Sequence, residues 1–350
     1  MIDTAVCPRC QGPTALVAPT GVRDDRQVDI DVIKCAVELA ARAPSLHNTQ
    51  PWQWVTDGTE LRLYLARGRI VRSTDSTGRE ALISCGAMLD HVRVAMAAAG
   101  RHTTVERFPS PANPEHLATL TFSPLDYPAD SVQLIADAIV LRRTDRLPFR
   151  APADFGQVES ILKRALASTK VRLDVLVDEE RPDLVEASRV NEVARRFDPA
   201  YHADLDWWTA PFGLDSGIPH SALPSVPEAD RGSNINRHFP AGPYGDRRAA
   251  ITHDESTVLA LSTPDDSPAA ALECGEALSQ VLLECTLAGL ATCPVTHLTE
   301  EPSARRVLAE LIGHAGVPQL LIRVGRVPAL DQGAPVTPRR PLSDILLVRF

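Results

Sequence analysis

The sequence predicts an α+β protein in which two fused repeats pack against each other as an intramolecular pseudo-dimer. Three observations lead to this prediction. Segments with helical periodicity are followed by hairpin-forming strands, two long helices rich in small residues share sequence at a fixed offset, and a strand precedes each of these two helices. With 350 residues, the chain is long enough for about two ordinary domains or one large domain.

The first helix is predicted over residues 29–43. Asp29 can cap its start, its apolar residues recur at i, i+3 and i+4, and Pro44 ends it because proline disfavours helical geometry in the residue before it. Two strands follow in QPWQWV and ELRLYLARG, and Asp57-Gly58 predicts the hairpin turn between them.

A long helix is predicted next, over residues 78–99, and Gly100 stops it. Its many small residues predict close packing against other backbone. The strands TTVERFP and LATLTFSP come next, and then a helix that we expect Ser131 to cap. The remaining elements, in chain order, are a helix in VESILKRALA, a strand in VRLDVLV, a helix over residues 182–196, a strand in TVLALST, helices in AAALECGEALSQVLLECTLAG and PSARRVLAELIG, and a strand in PQLLIRVGR.

The internal repeat lies in two of these helices. CGAMLDHVRVAMAAAG (85–100) aligns with CGEALSQVLLECTLAG (274–289) at an offset of 189 residues, with six identities in sixteen positions. A second match follows each helix and aligns Pro114–Leu117 with Pro318–Leu321. The alternative is chance similarity between two Ala-rich helices, which the shared order of elements disfavours. A homodimer has two equivalent sites by symmetry, whereas a fused dimer is able to keep one and lose the other.

We divide the chain into a leader over residues 1–27, expected to be disordered, a first half over 28–125 and a second half over 126–350. The leader contains Cys7 and Cys10, but it lacks the second ligand pair of a zinc site and the strand–helix context of a redox pair.

Residues 197–250 interrupt the second half. This segment contains Trp207 and Trp208, several Pro and Gly residues and weak periodicity, and loops of this length are uncommon unless they are functional or disordered. We expect a lid or covering insertion, and the alternative is a surface excursion packed for stability alone.

Composition excludes several classes of protein. The net charge of −9 argues against a surface that binds nucleic acid or membrane, and no apolar run approaches the roughly 20 residues of a membrane span. We find no signal peptide, and an odd number of seven cysteines favours reduced thiols in a cytoplasmic protein. Because neither a Gly-x-Gly-x-x-Gly nor a Walker motif is present, Rossmann and P-loop folds are disfavoured.

Two arginine clusters are candidate anion sites. The segment LRRTDRLPFR (141–150) places three arginines and a threonine at a helix end, and TPRRPL offers two further arginines near the C-terminus. A phosphate monoester is dianionic and favours bidentate guanidinium donors together with a hydroxyl group. The alternative for each cluster is a solvated, charged surface.

Taken with APSLHNTQPW, AGLATCPVTH and PQLLIRVG, these clusters resemble the flavin-dependent nitroreductase family. The similarity is greatest to its mycobacterial Acg-like branch, in which both halves of the usual homodimer lie on one chain. It covers about residues 28–345. The resemblance implies a nitroreductase-like fold, with antiparallel or mixed sheets covered by helices, and FMN as the cofactor.

The resemblance also implies which residues hold FMN. The residues implied to hold the phosphate and part of the isoalloxazine ring are Arg142, Arg143, Thr144 and Arg146, and Arg339 and Arg340 complete the phosphate site. The residues implied to lie against the flavin, with backbone N–H groups directed at its N5 atom, are Gly289, Pro294, Val295, Thr296 and His297. His297 stands where the family has a small residue. The residues implied to cover the flavin from the opposite half are Pro44, Ser45, Leu46 and Asn48.

The two halves have lost complementary parts of this site. The first half contains APSLHNTQPW but no arginine motif at its start, whereas the second contains LRRTDR but continues from its helix as ALASTKVRLDV. We therefore expect one composite site. If APSLHNTQPW were only the start of a hairpin with Trp52 and Trp54 in the core, complementary loss would not be expected. His47 could polarise an acceptor or be a structural histidine.

Two functions remain open. The first is an FMN oxidoreductase that reduces nitro compounds or quinones with NAD(P)H, the flavin accepting hydride at N5. The second is a flavin-sequestering protein in which residues 197–250 seal the cavity. A third possibility is a protein that binds no cofactor and has only a structural role, and the retained arginines disfavour it. No nucleophile–base pair or metal cluster is recognisable, so no catalytic side chain and no metal site are predicted.

Overall fold

The computed structural model describes residues 28–126, 129–176, 178–210, 215–232, 235–328 and 333–349. The predicted leader, with Cys7 and Cys10, lies outside the described residues. The first repeat consists of α1 (Ile30–Ala40), β1 (Trp52–Thr56), β2 (Glu60–Leu65), α2 (Arg79–Ala98), β3 (Arg101–Arg107) and β4 (His116–Pro124).

The second repeat is longer. Its elements are α3 (Asp130–Leu141), α4 (Phe155–Ala165), β5 (Arg172–Leu176), α5 (Arg181–Arg195), α6 (Pro199–Thr209), α7 (Val226–Asp230), β6 (Thr257–Thr263), α8 (Pro268–Leu287), β7 (Ala291–Val295), α9 (His297–Glu300), α10 (Pro302–Leu311), β8 (Val317–Gly325), α11 (Leu342–Ile345) and β9 (Leu346–Val348).

The two sheets repeat one strand order. The first runs β3-β4-β2-β1-β9, and the second, taken from its β7 edge, runs β7-β8-β6-β5. Strands β1 to β4 therefore correspond to β5, β6, β7 and β8. Neighbouring strands are antiparallel, except that β9 lies parallel to β1 and so extends the sheet of the first repeat with a strand from the C-terminal segment. The prediction of an α+β pseudo-dimer with antiparallel and mixed sheets is confirmed.

Each sheet has a register shift at the same place. In the first sheet it falls between Leu63 and Tyr64 and leaves Tyr64 opposite His116; in the second it falls between Leu261 and Ser262 and leaves Ser262 opposite Pro318. His116 therefore corresponds to Pro318, so the second sequence match identified the right strands but was wrong by two residues. A slip of two is hard to detect because it keeps every side chain on the same face.

Helices α2 and α8 form the interface between the repeats. Each has 20 residues, and they correspond at the offset of 189 found in the sequence. They cross at Gly86 and Gly275, so closely that a Cβ on Gly86 would lie 2.0 Å from the carbonyl oxygen of Leu272, and one on Gly275 would lie 2.0 Å from that of Ile83. The two contacts are equivalent, as in the interface of a symmetric homodimer.

Gly275→Ala is expected to destabilise the fold because the new methyl group would push two backbones apart rather than displace a flexible side chain. Overpacking of this kind costs about 3 kcal/mol, which thermal unfolding would detect as a lower Tm. Gly156→Ala is the matched control: Gly156 lies in α4 with nothing within 4 Å of its Cβ position, so its Tm should be unchanged or slightly higher. Equal Tm values for the two variants would contradict the close crossing.

Local sequence signals account for most element ends. The Asp29 side chain accepts a hydrogen bond from the backbone N–H of Asp31 and caps α1, as predicted. Trp52 and Trp54 are fully buried in the core of the first repeat, also as predicted. The cap prediction for Ser131 is wrong, because α3 begins at Asp130 and Ser131 already lies inside the helix.

The second repeat departs from the first between β5 and β6. In the first repeat a turn over residues 57–59 joins β1 to β2, whereas the corresponding connection in the second contains α5, α6 and α7. The predicted insertion 197–250 is most of this connection, and it is more helical than its weak periodicity indicated.

Among the described residues, one helix, Arg79–Ala98, has the length and hydropathy of a membrane span, but 72% of that apolar window is buried inside the protein. Burial of this kind is expected for a core helix.

Candidate functional site

A cavity with two connected parts lies between the repeats. Pro44, Ser45, Thr144 and Arg146 line both parts. One part is cationic, and the other is a larger, mainly apolar space of about 110 Å³. The sequence motifs APSLHNTQPW and LRRTDR, which belong to different repeats, are therefore brought together as predicted.

Besides Arg146, which lines both parts, the cationic part is lined by four arginines, which are Arg42, Arg142, Arg143 and Arg339. Arg142 is 5% exposed; its Nη2 donates to the carbonyl oxygen of Arg42 at 2.9 Å, while its Nε and Nη1 are buried without a hydrogen-bond partner. Arg339 donates to the carbonyl oxygens of Ala41 (2.7 Å) and Arg42 (2.9 Å). None of the four forms an ion pair with a carboxylate anywhere in the described part of the chain.

Burial and mutual repulsion lower the pKa values of these cations. Burial, with help from Arg143 and Arg42, lowers the pKa of Arg142 to about 10. Burial together with the charges of Arg142, Arg42 and Arg143 lowers the pKa of Arg339 to about 9. A cluster that carries this much uncompensated positive charge in a buried place is suited to an anion.

Arg340 is not part of the cluster. Its guanidinium donates to the carbonyl oxygens of Gln50 (3.3 Å), Trp52 (3.4 Å) and Asp344 (2.6 Å), and it lines neither part of the cavity. Of the predicted arginine pair, the structure brings only Arg339 to the cavity. Arg340 instead supports the neighbouring loop, since its backbone N–H donates to Gln50 Oε1 at 2.9 Å.

That loop, residues 41–51, adopts an unusual backbone conformation. His47, Asn48 and Gln50 have φ values of 47°, 58° and 51°, in the left-handed region that non-glycine residues rarely adopt. Two side chains fix it: Asn48 Nδ2 donates to the carbonyl oxygens of Gly217 (3.1 Å) and Pro338 (2.9 Å), and Gln50 Nε2 donates to that of Asp215 (2.8 Å). The loop is thus held by the insertion and by the C-terminal segment, which explains why a simple helix-to-strand connection carries His-Asn-Thr-Gln.

The apolar part has walls from both repeats. The residues that line it include Pro44, Leu46 and His47 from the loop, Glu80, Ile83 and Ser84 from α2, and Pro294, Val295, Thr296 and His297 from the end of β7 to the start of α9. Burial, with the nearby charge of Arg237, lowers the pKa of His297 well below its usual value, so its ring is neutral; Nε2 lies 3.0 Å from Ser188 Oγ.

Gly289 does not reach the cavity. It lies at the exposed C-terminal end of α8 with φ of 70°, a helix-terminating conformation that favours glycine. Of the segment predicted to lie against the flavin, only residues 294–297 line the cavity.

The insertion contributes the outer wall of the cavity. Phe239 lies between Arg146, whose Cζ is 5.3 Å from the ring centroid, and His47, whose ring centroid is 6.0 Å away. Arg237, beside it, forms a buried ion pair with Glu300 and donates to the hydroxyl oxygen of Tyr201 at 2.8 Å. The predicted lid residues Trp207 and Trp208 do not line the cavity, and Trp207 is 74% exposed. The aromatic side chain that the insertion contributes to the cavity lining is therefore Phe239 rather than the tryptophan pair.

A buried ion pair ties the insertion to the arginine motif. Arg248 Nη2 lies 2.6 Å from Asp145 Oδ2, within LRRTDR, and Arg248 Nη1 donates to the carbonyl oxygen of Pro148 at 2.9 Å. Sequence reasoning missed this contact, and it also missed Arg42, Glu80, Arg237 and Phe239 as cavity residues. For Arg42 a signal existed, because it directly precedes the Pro-Ser loop.

Comparisons with known proteins define the class. The chain has a repeated α+β fold, with a cavity between its halves and an arginine cluster at one end of that cavity, and a model of the "Nitroreductase family" matches residues 182–326. The chain is 51% identical over 325 residues to "Putative NAD(P)H nitroreductase acg" of Mycobacterium tuberculosis, covering 93% of this chain and 98% of that protein. It is 36% identical over 322 residues to "Putative NAD(P)H nitroreductase Rv3131" of the same organism, covering 91% and 92%.

Two solved structures align with this chain at low TM-scores. The structure of "a putative nitroreductase" from Anabaena variabilis matches 85% of this chain and 88% of its own with a TM-score of 0.45 and 9% identity. The FMN-dependent nitroreductase NfnB from Mycobacterium smegmatis, solved with NADPH, matches 63% of this chain and 99% of its own with a TM-score of 0.41 and 16% identity. The chain belongs to the nitroreductase family and is an oxidoreductase of that family.

Proposed function

We propose that this chain is an FMN-dependent oxidoreductase that uses NAD(P)H to reduce nitro compounds or quinones, with one FMN held between the repeats. The observation that carries the proposal is the cationic part of the cavity, where four arginines without carboxylate partners meet one end of an apolar space. A ligand with a phosphate at one end and a planar ring system at the other complements both parts.

The phosphate end fits the donors that are present. Arg142 has two buried nitrogen atoms without partners, and Thr144 supplies a hydroxyl group between the two parts of the cavity. A phosphate dianion would pair with Arg142, Arg143 and Arg339 and offset both the burial and the mutual repulsion that lower their pKa values. Arg42 is added to the predicted set, and Arg340 is removed from it.

The apolar end fits a flat ring system. Pro44 and Leu46 face it from the first repeat, and Pro294 and Val295 from the second. Arg146 lines the junction of the two parts, and within the described part of the chain its guanidinium has no hydrogen-bond or ion-pair partner, so it is available to the polar edge of a ring. When bound, FMN supplies hydride transfer at N5. The protein supplies orientation, positive charge at the phosphate and limited access for water.

The division into halves at residues 125 and 126 remains part of this proposal, as does the covering role of residues 197–250. The second candidate function, flavin sequestration, is favoured by one observation: Pro224, Arg237 and Phe239 of this segment line the apolar part of the cavity. A wall of this kind would admit a nicotinamide ring only if it moved.

Anaerobic mixing with NADPH or NADH distinguishes the two functions. The proposed enzyme should lose its flavin absorbance within seconds and regain it on addition of a quinone. A sequestering protein should retain the absorbance while free FMN added as a control is reduced chemically by dithionite. Purified protein without flavin, and without affinity for added FMN, would contradict both functions.

A further inference from the structure

Glu80 is a buried carboxyl group in the wall of the cavity that the proposed flavin chemistry leaves unused. It lies in the first turn of α2, is 2% exposed and lines the apolar part of the cavity together with Ser84, one turn further along. Oε1 lies 3.3 Å from Arg79 Nη2, and Oε2 is buried with no hydrogen-bond partner among the residues that the structure describes. An ionised carboxylate left this poorly paired would be costly.

The charges around Glu80 do not balance. Three carboxyl groups lie together, Asp75 before α2, Glu80 in α2 and Glu300 in α9, and two guanidinium groups face them, Arg79 from α2 and Arg237 from the insertion. If all five were charged, a buried cluster would carry a net negative charge. One proton on one of the carboxyl groups neutralises it.

Hydrogen bonding places that proton on Glu80. Glu300 Oε1 is paired with Arg237 and also accepts a hydrogen bond from the hydroxyl of Thr296 at 3.1 Å. Burial raises the pKa of Asp75, but its carboxylate accepts backbone N–H groups from Glu80 (3.2 Å) and Ala81 (2.8 Å) at the start of α2, and these hydrogen bonds oppose that shift. Consistent with this, burial and the charge of Glu300 raise the pKa of Glu80 well above its usual value.

The other titratable groups of the cavity are poor acids. Burial, Arg237 and Arg146 lower the pKa of His47 well below its usual value, and burial lowers that of His297 in the same way. Both rings are therefore neutral at pH 7 and have no imidazolium proton to give. Glu80 is the group with an acidic proton among the residues described along this wall.

We propose that Glu80 is held as a neutral carboxylic acid and donates the proton that reduction of the acceptor requires. This inference rests on the proposed function. Conversion of a quinone to a hydroquinone takes two electrons and two protons, and a hydride equivalent from the nicotinamide donor, passed on through the cofactor, carries both electrons and one proton. The O–H bond of Glu80 breaks as an O–H bond forms on the acceptor oxygen, and solvent returns a proton to the carboxylate.

Glu80→Gln should separate the two half-reactions. Flavin content and the rate of flavin reduction by NADPH should be retained, because neither needs this proton. Reoxidation of the reduced protein by a quinone should slow about 100-fold, the usual contribution of a positioned acid. In the native protein this rate should fall as the pH rises through the pKa of Glu80, because only the protonated acid donates, and the variant should lose that dependence.

Asp90→Asn is the matched control. Asp90 is a second buried carboxyl group of α2, 3% exposed, with Oδ2 also lacking a partner and its pKa raised by burial to about 6, but it does not line the cavity. This variant should reoxidise at the native rate with the native pH dependence. Equal slowing in both variants would show a general effect of removing buried carboxyl groups and would overturn the proposal.

Infrared spectroscopy tests the protonation state without turnover. At pH 8, where Asp90 is ionised, the native protein should show the carbonyl stretch of a protonated carboxyl group; the band should shift when glutamate is labelled with ¹³C, and it should be absent in Glu80→Gln. A native protein without this band, or with a band insensitive to labelled glutamate, overturns the proposal even if flavin is bound. A labelled band with unchanged reoxidation in Glu80→Gln overturns the donor role.

Discussion

Arg142→Ala should lower the affinity of the protein for FMN about 100-fold. Its Nε and Nη1 are buried without partners, and hydrogen bonds to charged groups contribute roughly 1.5–3 kcal/mol each, so losing two of them costs at least 3 kcal/mol of binding free energy. Fluorescence titration of the apoprotein with FMN measures this loss directly.

Stability distinguishes a binding role for Arg142 from a structural one. Its positive charge adds to that of Arg143 and Arg42, so its removal should leave the Tm of the apoprotein unchanged or raise it, while the increase in Tm on adding FMN is lost. Arg150→Ala is the control, because Arg150 belongs to the same segment but is exposed and lines neither part of the cavity. Native FMN affinity in Arg142→Ala would remove this residue from the phosphate site.

Phe239→Ala should slow flavin reduction by NADPH about tenfold while FMN remains bound. Phe239 lines the apolar part of the cavity between Arg146 and His47. If the enzyme hypothesis holds, its ring stacks against the nicotinamide, and an aromatic stacking contact contributes about 1–1.5 kcal/mol beyond its buried area. Deleting the whole insertion would be less specific, because it would also remove Arg237 and leave Glu300 without its ion-pair partner. Anaerobic stopped-flow bleaching of the flavin measures the rate.

Phe197→Ala is the control for the insertion, because Phe197 is 86% exposed and lies outside the cavity. Faster bleaching in Phe239→Ala would support flavin sequestration, with Phe239 acting as a barrier to the nicotinamide. An unchanged rate would contradict the conclusion that this side chain covers the site.

The repeat and its interface could be predicted from sequence because they depend on local signals. Small residues in α2 and α8 indicated a close approach, and Gly86 and Gly275 prove to be the crossing point. Strand β7 was not predicted, since Pro294 interrupts its pattern; a proline is tolerated there because β7 is at the edge of its sheet.

The motif LRRTDR could be recognised without knowledge of backbone direction, and its role in binding FMN stays a prediction. For the adjacent Arg339 and Arg340 that direction is needed, because neighbouring side chains in an extended segment point in opposite directions, and only Arg339 faces the cavity. The insertion shows the same limit on a larger scale. Its path is determined by distant contacts, such as Arg248 with Asp145 and Arg237 with Glu300, which no local periodicity encodes.

Glu80 could not be identified as a candidate functional residue from the sequence. In the sequence it is one charged residue at the start of a long helix, where an acidic side chain is expected for its interaction with the helix dipole. Its unpaired Oε2 and its proximity to Glu300 arise only when the two repeats and the insertion are assembled.

The ratio of FMN to polypeptide tests the central claim most directly, namely that complementary losses in the two repeats leave one composite site. The arginine cluster draws on LRRTDR of the second repeat and on Arg339, while the facing wall is the loop of the first repeat. Purified protein should be saturated with FMN, denatured, and assayed for released flavin against chain concentration. We predict one FMN per chain, and a ratio near two, or a protein that binds no FMN, would contradict the account.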